Sequence, residues 1–373
     1  MNKKTILALT IGCTFLSAQA NAANQVADAR GNAMGNTGVA SADYLLAPFY
    51  NPALVASGKE SDDFAILIPA ISVAARDSDE SIALIDDLQS FIEDYESSAS
   101  VAKLNEINAS LGELNDNSPL TVNANLGVAV AISTDVVSAN IFARGYTEIV
   151  ASPDVTLDDY QNSYVDLVAF AYTEFGIALA KELTVSEQKI SIGFTPKYQQ
   201  MTTYAQRSSV SDFDIEDYDE SEITKSAFNL DLGVMWYYDS LRAGLAVKDL
   251  FEQEIVAENG TFRDVYKLDT QVTLGLAYAT EYVTVALDAD LTKQTRFQSL
   301  QDDTQFVRLG IEGNLFGWAQ LRAGYEMDLE DTLDNAFTAG IGFSPFDIVS
   351  LDIAGSYAGD NQFGVSTNLA LTF

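Results

Sequence analysis

From residue 363 to the carboxyl terminus, apolar side chains recur at alternate positions. Phe363, Val365, Leu369, Leu371 and Phe373 share one face with Thr367, while Gly364, Ser366, Asn368, Ala370 and Thr372 share the other. A period of two belongs to an extended strand, and about ten residues is the length of a tilted strand that crosses a bilayer. A half-buried strand of a soluble sandwich alternates in the same way, so this segment alone does not choose. The pattern recurs. Going backwards, it predicts strands near residues 349–353, 337–343, 321–325, 307–311, 283–291, 268–278, 241–247, 228–238, 190–198, 164–179, 136–146, 122–132 and 64–73, about fourteen in all. The cleanest sets Phe228, Leu230, Leu232, Val234, Trp236 and Tyr238 against Asn229, Asp231 and Gly233. Two others put Arg308, Gly310 and Glu312, and Arg322, Gly324 and Glu326, opposite the apolar face.

The connections favour a barrel. Short links fall at Ser133-Thr134-Asp135, Asp239-Ser240, Thr280-Glu281, residues 313–317 and Ser344-Pro345-Phe346-Asp347. Longer, acidic links alternate with them, at about 74–121, 147–163, 204–224, 250–265, 293–303, 328–333 and 358–362. Outer-membrane barrels separate their rims in this manner, with short periplasmic turns and longer outer loops. With the last strand ending in the periplasm, every short link falls on that side. Trp236, Tyr238, Tyr278, Tyr282, Phe316, Trp318, Phe343, Phe346 and Phe373 then lie beside the periplasmic ends as an aromatic girdle. The expected fold is all-β, a transmembrane antiparallel β-barrel of about fourteen strands within residues 59–373.

Two regions break the alternation. Ile82, Ile85, Leu88, Ile92 and Tyr95 recur at helical spacing, as do Val101, Leu104, Ile107, Leu111 and Leu114. Two amphipathic helices are expected in an extracellular insertion at about 78–116. It is either a packed loop, the simpler expectation, or a lid over the barrel mouth. The second region, 23–58, carries Gly31, Gly35 and Gly38, which permit tight turns in a confined space. They do not cradle phosphate, because no lysine follows and no βαβ unit surrounds them. Fourteen strands lie between barrels that side chains fill and barrels that leave a channel. A plug is therefore needed, and this segment directly precedes the first strand.

The run Arg30-Gly31-Asn32-Ala33-Met34-Gly35, followed about fifteen residues later by Asn51-Pro52-Ala53, resembles the amino-terminal hatch of FadL-type outer-membrane transporters. Within that superfamily it most resembles the branch labelled conjugal transfer protein TraF. The resemblance implies a fourteen-stranded barrel plugged by a hatch that includes Arg30, Gly31, Met34, Gly35, Gly38, Asn51, Pro52 and Ala53, moving hydrophobic molecules inward. Phe373, Leu371 and Leu369 likewise resemble the signal read by the barrel-assembly machinery.

Met1-Asn2-Lys3-Lys4, an apolar run over 6–16 and an exit ending Ala20-Asn21-Ala22 read as a Sec signal peptide, residues 1–22. Cys13, the single cysteine, lies inside that run and half fits a lipoprotein box. Otherwise the mature chain lacks thiols, which excludes disulfides and thiolate metal sites. Histidine is absent, which removes imidazole ligation and histidine-assisted nucleophiles. No carboxylate pair, Asp158-Asp159 included, stands out from the loop acidity. No enzyme and no cofactor are expected.

A formal net charge of −34 excludes nucleic acid as a partner, since that requires clustered cations. The expected surroundings are the lipid bilayer and lipopolysaccharide of a Gram-negative outer membrane. The expected function is passive uptake of hydrophobic or amphiphilic small molecules. The alternative is a surface-exposed structural or interaction protein linked to conjugal transfer or adhesion. An anionic cargo would want a cation, and Lys189, Lys197, Arg242, Lys248, Arg308 and Arg322 fall at inward positions. Pairing with lumen carboxylates is their simpler role. Asp212, Asp214 and Glu216 alternate in an acidic run as a weak calcium pattern, for which solvated loop charge is the simpler reading.

Overall fold

The computed structural model describes residues 26–58, 64–115, 117–134, 136–214, 221–260, 262–300, 303–345 and 348–373. The expected signal peptide (1–22), residues 23–25 of the expected hatch, Asp135, Glu216, Phe346 and Asp347 lie outside them.

Fourteen strands close into one antiparallel barrel. They are β1 (Phe64–Arg76), β2 (Leu120–Ile132), β3 (Ser138–Asp154), β4 (Tyr164–Val185), β5 (Gln188–Ser209), β6 (Ile223–Tyr238), β7 (Leu241–Lys248), β10 (Gln271–Ala279), β11 (Val283–Asp290), β12 (Phe306–Leu315), β13 (Ala319–Asp328), β14 (Ala336–Phe343), β15 (Val349–Gly359) and β16 (Gln362–Thr372). The remaining two, β8 (Gln253–Asn259) and β9 (Phe262–Leu268), form a separate hairpin between β7 and β10. The expected loop at 250–265 is thus a hairpin. The expected strand at 268–278 straddles two strands, because Leu268 ends β9 and Gln271 starts β10.

The barrel is inside-out relative to a soluble sandwich. Ile141, Phe175, Leu309, Leu321, Phe337 and Ile341 are exposed, while Arg144, Glu174, Lys197, Arg308 and Arg322 are buried. Only a hydrocarbon solvent outside rewards that arrangement. The barrel closes where β1 meets β16. Phe64 and Phe373 exchange backbone hydrogen bonds of 3.3 and 2.9 Å, and their rings stack with centroids 4.7 Å apart. Trp236 stacks on Tyr238, and Trp318 packs against Phe316 and Phe343, along the short-turn rim.

Strands β3, β4 and β5 run for 17, 22 and 22 residues, well beyond the 9–11 or so that a bilayer needs. Their surplus projects past the membrane with an apolar outer face that needs another cover. The insertion supplies it. Helices of 17 and 15 residues, Ser81–Ser97 and Val101–Asn115, bury Ile85, Leu88, Ile92, Ile107, Leu111 and Leu114 against Leu120, Ala151 and Val165. Those wall residues share the face of Ile141 and Phe175 by strand parity, so the helices lean on the outside of the barrel. They are a packed loop and not a lid. Ile82 and Val101, expected on the apolar faces, are exposed, since each lies in the first turn of its helix, ahead of the buried positions that follow.

The hatch and the ion-paired lumen as candidate functional site

Residues 26–58 occupy the lumen. Asp28 caps the short helix Ala29–Ala33, its carboxylate accepting from Arg30 N and Gly31 N at 2.9 and 2.8 Å. It also accepts the Tyr50 hydroxyl at 3.1 Å, joining the two halves of the hatch. A Cβ on Gly38 would lie 2.2 Å from the Tyr50 ring. Gly35 sits at φ +66°, and a Cβ there would meet the Tyr325 carbonyl at 2.7 Å. Gly35→Ala is therefore expected to weaken hatch docking by roughly 1–3 kcal/mol, read as faster proteolysis of the hatch in folded barrels. Cleavage at the wild-type rate would contradict it.

A plug without sheet or long helix must have its backbone donors met by the wall. Asn368 Oδ1 accepts from Ala29 N at 2.8 Å, Thr338 Oγ1 from Gly35 N at 2.8 Å, and Asp288 from Gly38 N and Val39 N at 2.8 and 2.9 Å. Arg30 forms a two-pronged pair with Glu312, both contacts 2.9 Å, and donates to the Ser41 carbonyl. Met34 is fully buried beneath the wall at Gly310. Asn51 Oδ1 accepts from Ala53 N at 3.0 Å, and its Nδ2 donates to the carbonyls of Val39 and Val234 at 3.0 and 3.3 Å. Pro52 opens the following 3-10 turn, Pro52–Ser57, where its missing donor costs nothing.

The sequence-predicted cations divide by depth. Lys197 Nζ meets Glu174, Asp231 and Asp249 at 3.3, 2.9 and 2.8 Å, and Arg144 joins Glu174 at 3.1 Å. Lys248 donates to the Phe49 carbonyl at 2.9 Å. Arg308 binds Asp290 and Glu326, each at 3.0 Å, and Arg322 binds Glu312 and Asp352 at 2.7 and 2.5 Å. Lys189 pairs with Glu182 at 2.9 Å. With Arg242 and Glu182 it borders a vestibule of about 710 Å³ at the short-turn rim, beneath the hatch. Asp212 and Asp214 stand in the β5–β6 loop; among the described residues no three acidic groups gather as cation ligands.

Above the charged belt the mouth is apolar and filled. Tyr146, Phe170, Tyr172 and Met201 of the wall pack against Ile255, Ala257, Tyr266 and Leu268 of the β8–β9 hairpin and against Phe297. The Phe170 and Tyr266 rings stack with centroids 3.6 Å apart. The lumen thus holds two obstacles in series, the hairpin and the hatch.

The wall beside the hatch is thin. A Cβ on Gly233 would lie 2.0 Å from Asn51 Oδ1, and one on Gly193 would lie 2.4 Å from the Pro52 carbonyl carbon. Pro196 lacks a backbone donor, and the β4–β5 ladder passes from Gly176↔Lys197 to Leu179↔Phe194 without the two pairs between. On the lipid side of the same patch lies an apolar groove of about 750 Å³, lined by Leu179, Ile192, Phe194, Leu232, Val234 and Leu245.

Sequence reasoning missed the acidic half of this site. Glu312 and Glu326 had already appeared on the small-residue face beside Arg308 and Arg322, which was the available signal. Asp28 and Tyr50 gave none, because their partnership is made only by folding.

A closed fourteen-stranded antiparallel barrel with apolar residues outside, ion pairs inside and an amino-terminal plug has the fold of a transmembrane β-barrel. The chain belongs to the family described as "F plasmid transfer operon, TraF, protein", which matches residues 48–290. Among solved structures it is similar to the CymD monoaromatic hydrocarbon channel, with 9% identity, TM-score 0.58 and 95% and 99% of the two chains covered. It is also similar to the Ralstonia pickettii toluene transporter TbuX, with 10% identity, TM-score 0.56 and 94% and 98% covered. The Pseudomonas putida toluene transporter TodX gives 11% identity, TM-score 0.51 and 92% and 96% covered. At such identities the likeness concerns the fold. No curated protein matches in sequence.

Proposed function

We propose that this chain is a channel of the Gram-negative outer membrane for passive uptake of hydrophobic or amphiphilic small molecules, which leave sideways through the wall at β5. One observation carries the reading. The Asn51-Pro52-Ala53 turn rests on Gly193 and Gly233, beside the interrupted ladder at Pro196, with an apolar groove directly outside. Movement of that turn would uncover a wall with few side chains in the way. An apolar solute has no reason to continue down the axis past the turn, because the lumen towards the short-turn rim holds the Arg30–Glu312 and Arg322–Glu312 ion pairs and desolvating charge is costly. The similar structures described as hydrocarbon channels and toluene transporters support the cargo class. Sec export of residues 1–22, insertion through the Phe373 end and divalent bridging of acidic loops to lipopolysaccharide belong to the same proposal.

Cells carrying the gene are expected to take up labelled toluene faster than a deletion strain. Equal uptake of every hydrophobic probe, with the hatch intact or deleted, would sink the reading. The ion-paired lumen also favours a second one, a structural or interaction role at the surface. Loss of mating or attachment in the deletion strain, with normal uptake of hydrophobes, would select it.

A further inference from the structure

We infer that the long-loop rim carries a binding site for the carboxylate of a small aromatic or aliphatic acid, centred on Arg76. The inference deepens the channel reading and rests on it for the direction of travel. Arg76 ends β1 and stands between Thr121 of β2 and Gln362 of β16, over the seam of the barrel. It is 6% exposed. Among the described residues it has no hydrogen-bond or ion-pair partner, and its Nε and Nη1 are enclosed without an acceptor. The guanidinium keeps its charge in any surroundings, so a buried one without an acceptor is poised to receive an anionic ligand.

Arg76 borders a cavity of about 240 Å³ whose lining mixes Val150, Leu300 and Leu333 with Ser118, Thr121 and Arg296. Each nearby carboxylate has partners other than Arg76, although Glu326 Oε1 is buried without one. Asp334 accepts from Gln362 Nε2 at 2.7 Å, Glu326 is held by Arg308 and Asn36, and Asp328 accepts from the backbone of Gln305, Glu330 and Leu333. Asp331 borders the cavity as well, which makes an ammonium ligand the rival outcome. A planar fork favours a carboxylate, and Pro119, Val150, Leu300 and Leu333 give the otherwise polar lining an apolar part for a small hydrocarbon body. The volume falls below that of pockets for drug-sized ligands, roughly 300–1,000 Å³, which limits the ligand to about one ring.

The seam below continues the theme. Ser72 faces Asn125 across the β1–β2 ladder, and Ser72 Oγ with both amide atoms of Asn125 are buried without partners. Lower still, Asn368 pairs with Ala70 and holds Ala29 of the hatch. A polar track therefore runs from Arg76 towards the plug.

The test uses the purified mature protein in detergent, titrated with benzoate, toluene and benzylammonium. Benzoate is expected to bind saturably, at least tenfold more weakly to Arg76→Gln, with Arg76→Lys between the two. Heat-modifiable gel mobility selects folded material for each variant. Benzoate affinity unchanged in folded Arg76→Gln, or benzylammonium bound as tightly as benzoate, would overturn the site. The channel reading fails separately. Should wild-type cells take up no toluene while benzoate binding still depends on Arg76, the site stands and the channel falls.

Discussion

A barrel carrying Asn51→Cys together with Gly233→Cys is expected to lose hydrophobe uptake when oxidised and to regain it with a reductant. A Cβ on Gly233 lies 2.0 Å from Asn51 Oδ1, which puts the two Cβ atoms within roughly 4.5 Å, a separation that disulfides accept. The background is clean, since the one native cysteine, Cys13, precedes the hatch within the region read as signal peptide. Asn51 ties the turn to Val39 in the other half of the hatch and to Val234 of the adjacent wall. Its replacement removes both ties, so the reduced form should transport at least as fast as wild type. Oxidation replaces two hydrogen bonds, each worth about 1 kcal/mol net, by a covalent link that no solute can displace. The comparison is made within one protein, which separates locking from misfolding. Full uptake after a disulfide has been verified by mass would mean that cargo passes without moving the Asn51-Pro52-Ala53 turn.

Legibility in the sequence followed the number of environments a strand meets. Strands β10 to β16, with lipid on one side and lumen on the other, alternate cleanly, and their pairing needs only short turns. Where a third environment enters, the alternation fades. β3 continues to Asp154 through Ile149, Val150 and Ala151, all buried, because the helical insertion and its neighbours cover one face and the hairpin the other. β5 continues to Ser209 through Gln199, Gln200, Thr202, Thr203 and Gln206, where inward positions serve a polar network and outward ones have left the membrane. Neither stretch carries a period of two. The β8–β9 hairpin was more legible than its reading allowed. Ile255 and Ala257 alternate ahead of Asn259-Gly260, a strong turn signal, and Gly260 does adopt φ +57°. The rhythm of short and long links hid it, since a long outer link left room for two unnoticed strands.

The hatch was recognisable by wording and its anchoring was not. Glycine spacing announces a confined backbone, but the groups that hold it lie far along the chain, such as Asp288 for Gly38 and Glu312 for Arg30. Nothing local in the sequence pairs residues some 250 or more positions apart. The lumen cations were legible as inward by parity, and their partners are inward carboxylates obeying the same parity. Arg76 lies outside that scheme. It fell beyond the predicted end of the first strand, so its inward orientation became visible only once β1 extended to it.

Lys197→Met is expected to destabilise the barrel by about 3–5 kcal/mol, the cost of breaking a buried ion pair by removing one partner. Its ammonium is the common neighbour of Glu174, Asp231 and Asp249, none of them more than 3.3 Å away. Without it Glu174 keeps Arg144, but Asp231 and Asp249 face each other with only neutral donors from Gln199, Asn229 and the Asp249 backbone. Lys189→Met is the counterpart, because the Lys189–Glu182 pair is exposed, with side chains 64% and 37% accessible, and should cost under about 1 kcal/mol. Urea unfolding in detergent, followed by gel mobility, measures both. Equal losses would show that charge pairing is not what holds this level of the lumen. The larger loss also reaches the mouth. Asp249 begins the segment that leads into the hairpin, and its carbonyl accepts from Thr270 at the hairpin's other foot at 2.8 Å. Lys197 therefore fixes both feet of the element that fills the entrance. In Lys197→Met barrels that still fold, protease cleavage near Asn259-Gly260 should accelerate, while Lys189→Met leaves it at the wild-type rate.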